Sequence, residues 1–456
     1  MRLPSRRKIP GSITATRTTL RRIGVAVLAL VLPALSLSET HAQEARHRWE
    51  RMCQIRKDKF DLILPEVMRE NGIDMWITTV REGDYGPLYE DMGRGYPSSL
   101  GFYVFTDVGG DRIERAALGV GGYLLEECGA YDIVTGSADL ASFVAERDPA
   151  RIGVNMSPDI GAADGLSHTS YEAILEELGS SYGSRLVSAE KLVSDFRSRR
   201  VMTEVAAFAE AGEISRELAE RAFSNEVITP GVTALEDVAW WLMDQLLARG
   251  LGSSFDMPSI YITGPGGIEA TSNERIIQRG DLIMIDWGVG FLNMYTDMKR
   301  IAYVLKEGET QVPPGIQNAF DQGRKVREVI RKNIEPGLTA GETLDILNQK
   351  IDEAGFHVME EFNVTSDTEK TEVMIGCHSV GNTGHGIGPS IAWFNPTRLT
   401  FEIKPTNMFV IELFAYTAAP EFGGAKVRIP LEDDAIVTER GVEWLYPIND
   451  RILVIR

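Results

Sequence analysis

Cysteine is nearly absent from this chain, with three among 456 residues. Cys53, Cys128 and Cys377 exclude a scaffold held by several disulfides; a single Cys53–Cys128 bridge and three free buried thiols both remain open. Basic residues are in deficit as well, 47 Lys and Arg against 66 Asp and Glu, for a formal net charge of −19. So acidic a surface argues against nucleic acid and against anionic membrane as partners. There is no low-complexity tract, and a composition 43% hydrophobic and 25% charged is ordinary for a soluble globular protein. The length exceeds what one hydrophobic core usually organises, so two domains are expected.

One long apolar run stands out, Ile23 to Leu37. Arg2, Arg6, Arg7, Lys8, Arg17, Arg21 and Arg22 precede it, and Thr40-His41-Ala42 closes the segment. A basic leader, an apolar stretch too short to anchor well and a small terminal residue read as an export signal over residues 1–42, cleaved after Ala42. An uncleaved N-terminal anchor is the alternative reading. The pairs Arg6-Arg7 and Arg21-Arg22 leave twin-arginine export open beside the general route. Cleavage would remove seven basic residues and one acidic, taking the charge from −19 to −25. The mature chain is then periplasmic or secreted, with no stable membrane anchor.

From about 44 to 190 helix and strand patterns alternate, as in an α/β domain with a covered sheet. Trp49 to Asn71 reads as a helix closed by Gly72, Asp74 to Thr79 and Leu100 to Thr106 as strands. Ser170 to Leu178 reads as a helix with Ser170 as N-cap. Gly83 to Gly101, rich in Gly, Tyr and Pro, reads as a long loop, either functional or a solvated connection. A charged break at Asp195–Arg200 marks the boundary, and a helix from Thr203 to about Phe223 follows. Beyond it, Ile228-Thr-Pro-Gly-Val-Thr-Ala-Leu-Glu236 recurs 106 residues later as Ile334-Glu-Pro-Gly-Leu-Thr-Ala-Gly-Glu342. Each copy pairs a Pro-Gly turn with Thr-x-x-Glu, the pattern of a capping box, and each helix ends near a glycine, Gly250 or Gly355. The echo suggests a pseudo-symmetric domain of two related halves; a common local solution used twice is the alternative.

Carboxylates in apolar, β-prone runs carry the chemistry. Asp286 follows Leu-Ile-Met-Ile, Asp297 follows Tyr-Thr, Glu412 follows Phe-Val-Ile, and Glu432 precedes Asp-Asp-Ala-Ile-Val. A bare carboxylate in a buried strand costs several kcal/mol or more unless a cation compensates it. Asp286 and Asp297 read as paired strands, and His385 sits in Gly384-His-Gly-Ile-Gly388, where the backbone leaves room for a side chain to approach an ion. Four carboxylates and one imidazole suit Mn²⁺, Fe²⁺, Co²⁺ or Zn²⁺ better than a thiolate site does. Taken singly each motif has a bland reading; Glu432-Asp-Asp, for example, reads as solvated surface.

In order, spacing and context these residues resemble the creatinase/prolidase/methionine-aminopeptidase family, most closely its two-domain Xaa-Pro dipeptidase and Xaa-Pro aminopeptidase branch. The resemblance implies an α/β (α+β) fold: a creatinase-like N-terminal domain over residues 43–195, then a pseudo-twofold "pita-bread" catalytic domain over 196–456. It implies two divalent ions, one held by Asp286, Asp297 and Glu432 and the other by Asp297, His385, Glu412 and Glu432. A hydroxide bridging the ions would attack the scissile carbonyl of a peptide substrate, with Glu412 moving the proton. Homodimerisation is common in the family and is expected here. The chain departs from the pattern at three places. No histidine stands near Ala270–Ser272, Ala392 occupies the place of a second substrate-facing histidine, and Arg428 lies two residues too far from Glu432. Arg428, Tyr416 and Trp393 are candidate substrate-binding residues. His378, seven residues before His385, is a candidate stand-in for a missing histidine, with a packed or solvated histidine as the alternative. Two further functions stay open: a metal-binding protein of this fold without peptidase turnover, and a metal-free C–N hydrolase like creatinase.

Overall fold

The computed structural model describes residues 43–264, 267–362, 364, 369–381 and 386–456. The expected export signal, 1–42, lies outside them, as does His385. No described helix is long and apolar enough to cross a membrane. Residues 43–52 are helical. From Cys53 onward the helical stretch runs to Glu70 and includes a π-helical turn, Lys59–Ile63. It ends before Gly72, whose φ of +61° suits a residue without Cβ.

The first part of the chain builds one six-stranded mixed sheet. Met75–Arg81 pairs antiparallel with Tyr96–Asp107 and parallel with Ile152–Val154, and shorter strands extend both edges. Helices Leu140–Arg147 and His168–Gly183 bury Leu140, Val144, Ile174 and Leu178 in a core shared with strand residues Met75, Ile77, Phe102 and Val104. Trp76, Phe105, Phe60, Tyr131 and Phe196 form a separate aromatic cluster. Cys53 and Cys128 are joined in a disulfide and Cys377 is a buried free thiol, which decides between the two readings of the cysteines.

Several expectations shift. The Gly83–Gly101 stretch contains a short helix, Tyr89–Met92, and its end belongs to the long strand that starts at Tyr96. Ser167 rather than Ser170 caps its helix, accepting from the Ser170 backbone N–H at 3.3 Å. The charged break is largely buried. Asp195 to Ser198 end a helix, Glu190–Ser198, and Arg197 and Arg200 are both 1% exposed. Arg197 donates to Asp91, and Arg200 pairs with Glu204 at 3.1 Å and donates to the Val380 carbonyl at 3.2 Å. Paired in this way, buried guanidinium groups can join elements where solvent would otherwise enter.

The later part holds two helix-on-sheet halves. In the first, helix Leu235–Arg249 packs Leu235, Val238, Leu242 and Leu246 against Ile260, Ile262, Ile283 and Ile285 of a five-stranded sheet. In the second, helix Pro314–Lys332 packs Ile316, Phe320, Val326 and Ile330 into a core with Ala415, Ile429 and Leu431. Spacings of three and four in the first set, and of four and six in the second, put each set on one helix face, and each fully buried aliphatic contributes about 1.5–3 kcal/mol. The sequence echo is structural: Gly231 and Gly337 both turn at positive φ, ahead of Leu235–Arg249 and Ala340–Glu353. Only the second copy has the reciprocal cap, in which Thr339 Oγ1 accepts from Glu342 N and Glu342 accepts from Thr339 N. In the first, Asp237 accepts from Ala234 N, while Thr233 Oγ1 accepts from Thr229 N.

Candidate metal centre

Two strand pairs aim the acidic residues at one place. Leu282–Trp287 runs antiparallel to Met298–Val304 with Asp286 directly opposite Lys299. Between them a hairpin turns through Leu292 and Asn293, both at positive φ, as a two-residue turn of the type favoured between twisted strands requires. The expected adjacency of the Asp286 and Asp297 segments therefore holds. Leu413–Ala418 pairs with Lys426–Leu431, and the register Leu413↔Leu431 brings Glu412 and Glu432 to the same end. Lys299 N donates to the Glu432 carbonyl at 3.1 Å, which ties the two halves together. Gly376 donates its N–H to the Glu412 carbonyl at 3.1 Å, and a Cβ there would collide with the Glu412 carboxylate.

The centre of the cluster is a residue the sequence reading passed over. Lys299 Nζ lies 3.1 Å from Asp286 Oδ2 and 2.7 Å from Glu412 Oε1, and it also hydrogen-bonds Glu432 Oε2. Its position two residues after Asp297 put it on the same strand face, a period-two signal present in the sequence. The carboxylates are thus not left to repel one another, because the chain supplies one of the compensating charges itself.

On the other side of Glu432 a second grouping forms. Asp297, His378 and Glu432 are all buried, and one ligand atom of each lies within 4.8 Å of the others. His378 Nε2 is 3.8 Å from Glu432 Oε1 and 3.9 Å from Glu412 Oε2. Its Nδ1 meets the Ser379 carbonyl at 3.0 Å. A carbonyl only accepts, so Nδ1 carries a proton, and in the neutral ring Nε2 is then the nitrogen that could ligate an ion. His378 is therefore buried, and it lies within 4 Å of two of the carboxylates. Asp297 Oδ1, Glu432 Oε1 and Asp286 Oδ1 are buried with no hydrogen-bond partner among the described residues. Buried oxygens left this way call for a cation.

Electrostatics agree. Burial, followed by the charge of Asp286, pushes the Asp297 carboxyl well above the usual carboxylate range. Burial and then Asp297 do the same to Glu432. Burial alone would lower the Lys299 ammonium, but Asp286, Glu412 and Glu432 outweigh it and raise it well above its ordinary value. One divalent ion fits Asp297, His378 and Glu432 on these observations; the second expected ion meets Lys299 among its carboxylates.

The acidic run after Glu432 is not solvated surface. Asp433 and Asp434 are wholly buried. Asp433 pairs with Arg300 at 2.8 Å and Arg327 at 3.3 Å and accepts from Asn449 N. Asp434 accepts from Tyr446 Oη at 2.5 Å and from the Asp297 N–H at 3.3 Å, which fixes the backbone of a candidate ligand.

The candidate substrate groups lie further out. Arg428 is half-buried with its guanidinium 4.1 Å from the Phe414 ring, whose centroid is 5.4 Å from Lys299 Nζ. Tyr416 is the register partner of Arg428 and packs beside Met359, Met374 and Phe414. Trp393 packs against Phe362, tilted at 4.9 Å, and Phe394, edge-to-face at 5.4 Å, and its Nε1 is buried without a partner among the described residues. Where the family pattern has its first histidine, Thr271 Oγ1 instead hydrogen-bonds both the N–H and the carbonyl of Ile260. Ala392 is buried and brings no polar group to the site.

Comparison with known proteins converges on the same enzymes. Residues 206–439 match the model of metallopeptidase family M24. An uncharacterised peptidase, YqhT, of Bacillus subtilis is 24% identical over 289 residues, 60% of this chain and 68% of its own length. A Xaa-Pro dipeptidase of Pyrococcus furiosus is 24% identical over 188 residues, 40% of this chain and 44% of its own. In fold, the chain is similar to an X-Pro aminopeptidase from Thermotoga maritima, with a TM-score of 0.59 and 16% identity over 85% of this chain and 99% of that one. With half its length matched by the family model and its fold shared along most of the chain, this protein belongs to metallopeptidase family M24 and has the two-domain pita-bread fold of the creatinase/prolidase group.

Proposed function

We propose that the protein is an exported, metal-dependent peptidase that cleaves the N-terminal bond of Xaa-Pro dipeptides or of longer Xaa-Pro peptides. The observation that carries this reading is the convergence of Asp286, Asp297, Glu412, Glu432 and His378 on one place, with buried carboxylate oxygens left unpartnered. The named activities of the similar Pyrococcus and Thermotoga proteins support the Xaa-Pro preference. The Cys53–Cys128 disulfide supports export, since such bonds persist in oxidising compartments.

A bound divalent ion supplies polarisation of a carbonyl and activates water at neutral pH. The chain's own residues do the rest. His378, held through Nδ1 by the Ser379 carbonyl, keeps one orientation toward the carboxylates. Glu412 is the proton carrier in this reading: its side chain is 13% exposed against 1% for Glu432, and it lies between Lys299 and His378. Arg428 offers a guanidinium to a substrate carboxylate, and the Trp393 group offers an apolar wall to a proline ring.

A second reading has its own observations. Lys299 at the carboxylates and the absence of histidine at Thr271 and Ala392 favour a metal-binding protein of this fold without peptidase turnover. The two readings separate in one assay. The mature chain is treated with chelator, reloaded with Mn²⁺, Co²⁺ or Zn²⁺ and offered Xaa-Pro dipeptides, longer Xaa-Pro peptides and controls without proline, with Asp297→Ala alongside. The peptidase reading expects cleavage that returns with the metal and is absent from the variant. No cleavage by protein shown to hold its metal favours the binding reading, and turnover of creatine that survives chelation favours the metal-free hydrolase.

A further inference from the structure

Lys299 has three ammonium hydrogens and three carboxylate partners, Asp286, Glu412 and Glu432. Its side chain is 7% exposed, and the Phe414 ring lies 5.4 Å from Nζ. Strand pairing fixes its backbone on both sides, against Asp286 in one register and through its N–H to the Glu432 carbonyl in the other. The ammonium is therefore placed by the fold and not merely attracted from a flexible tether.

Glu432 divides its two oxygens. Oε2 accepts from Lys299, whereas Oε1 faces His378 and lacks a hydrogen-bond partner among the described residues, as does Asp297 Oδ1. Four carboxylates carry a charge of about −4, the ammonium about +1 and one divalent ion +2, leaving the cluster near −1. A second divalent ion would have to share Asp286, Glu412 and Glu432 oxygens with the ammonium, two cations held to the same acceptors with Lys299 and Glu432 themselves buried. The resemblance implies two ions; this arrangement accommodates one.

We propose that the centre holds a single divalent ion at Asp297, His378 and Glu432, and that the Lys299 ammonium is the permanent occupant of the second cation position. The inference deepens the metal-dependent reading above and rests on it. Asp286 and Glu412 then act as partners of Lys299, and Glu432 links the ammonium to the ion. Lys299 is a positioning residue: it sets which oxygens remain for metal.

The test is the number of ions bound, read without any turnover. Wild-type protein is saturated with Mn²⁺, freed of excess and counted by elemental analysis, with electron paramagnetic resonance on the same samples. The expected result is one ion per chain with the spectrum of an isolated Mn²⁺. Lys299→Ala and Lys299→Ser should each take up a second ion, and the spectrum should become that of a coupled pair. Two ions in the wild type, or none, overturns the proposal, and so does a folded Lys299→Ala that still takes only one. Should both variants fail to fold, the wild-type count decides alone. One ion in a wild type that cleaves no peptide would leave this inference standing and remove the peptidase reading; two ions with cleavage would do the reverse.

Discussion

At the scale of single residues, the sequence shows a charge in the wrong place more readily than it shows what neutralises it. Asp286 and Glu412 announce themselves because each interrupts an apolar run. Lys299 did not, since it stands beside a second basic residue, Arg300, and no local pattern shows which carboxylates it will meet. Asp433 and Asp434, for which solvated surface was the bland reading, are buried and paired. Their partners Arg300, Arg327 and Tyr446 lie between 12 and 133 residues away, and no local pattern reports such pairing. Asp433 makes a direct prediction. Replacing it with alanine leaves Arg300 and Arg327 buried without their shared carboxylate, which should cost about 3–5 kcal/mol. A urea unfolding curve measures the loss; a change under about 1 kcal/mol would mean that solvent reaches these arginines.

At the scale of elements, strands and long helices followed from periodicity, while caps and junctions did not. Thr339 and Glu342 formed the reciprocal cap their spacing suggests, whereas the matching Thr233 was drawn to Thr229 and Asp237 took over the helix end. A capping motif states what two side chains are able to do, and neighbouring backbone groups decide whether they do it. The π-helical turn at Lys59–Ile63 is likewise invisible in the apolar pattern. It brings the Lys59 ammonium to the carbonyls of Phe196 and Arg199, in the charged break, and within 3.4 Å of Glu204 in the helix that follows. Burial lowers Lys59 to about 8 from an ordinary 10.5, outweighing the attraction of Glu204. Between those values the unfolded chain binds the proton and the folded one does not. Stability from this group therefore rises with pH across about 8 to 10.5. Wild type should gain on Lys59→Met over that interval in paired unfolding curves, and parallel profiles would show that the buried amine keeps its proton.

At the scale of the molecule, the two helix-on-sheet halves of the later part meet where Lys299 N–H reaches the Glu432 carbonyl, and the metal-capable groups gather at that junction. The fold was legible because helix and strand periods, the repeated Pro-Gly turn and the order of the acidic residues agree over hundreds of positions. The centre was legible as a set of carboxylates but not as an arrangement. Which histidine approaches them, and that a lysine stands between them, depends on register across four strands. The most direct test of the arrangement is anomalous diffraction from crystals of the wild-type protein grown with Mn²⁺. The account predicts one peak per chain, bounded by Asp297, His378 and Glu432, with Lys299 Nζ still on Asp286 and Glu412. Two peaks with Lys299 turned away, or no peak at these residues, would contradict it.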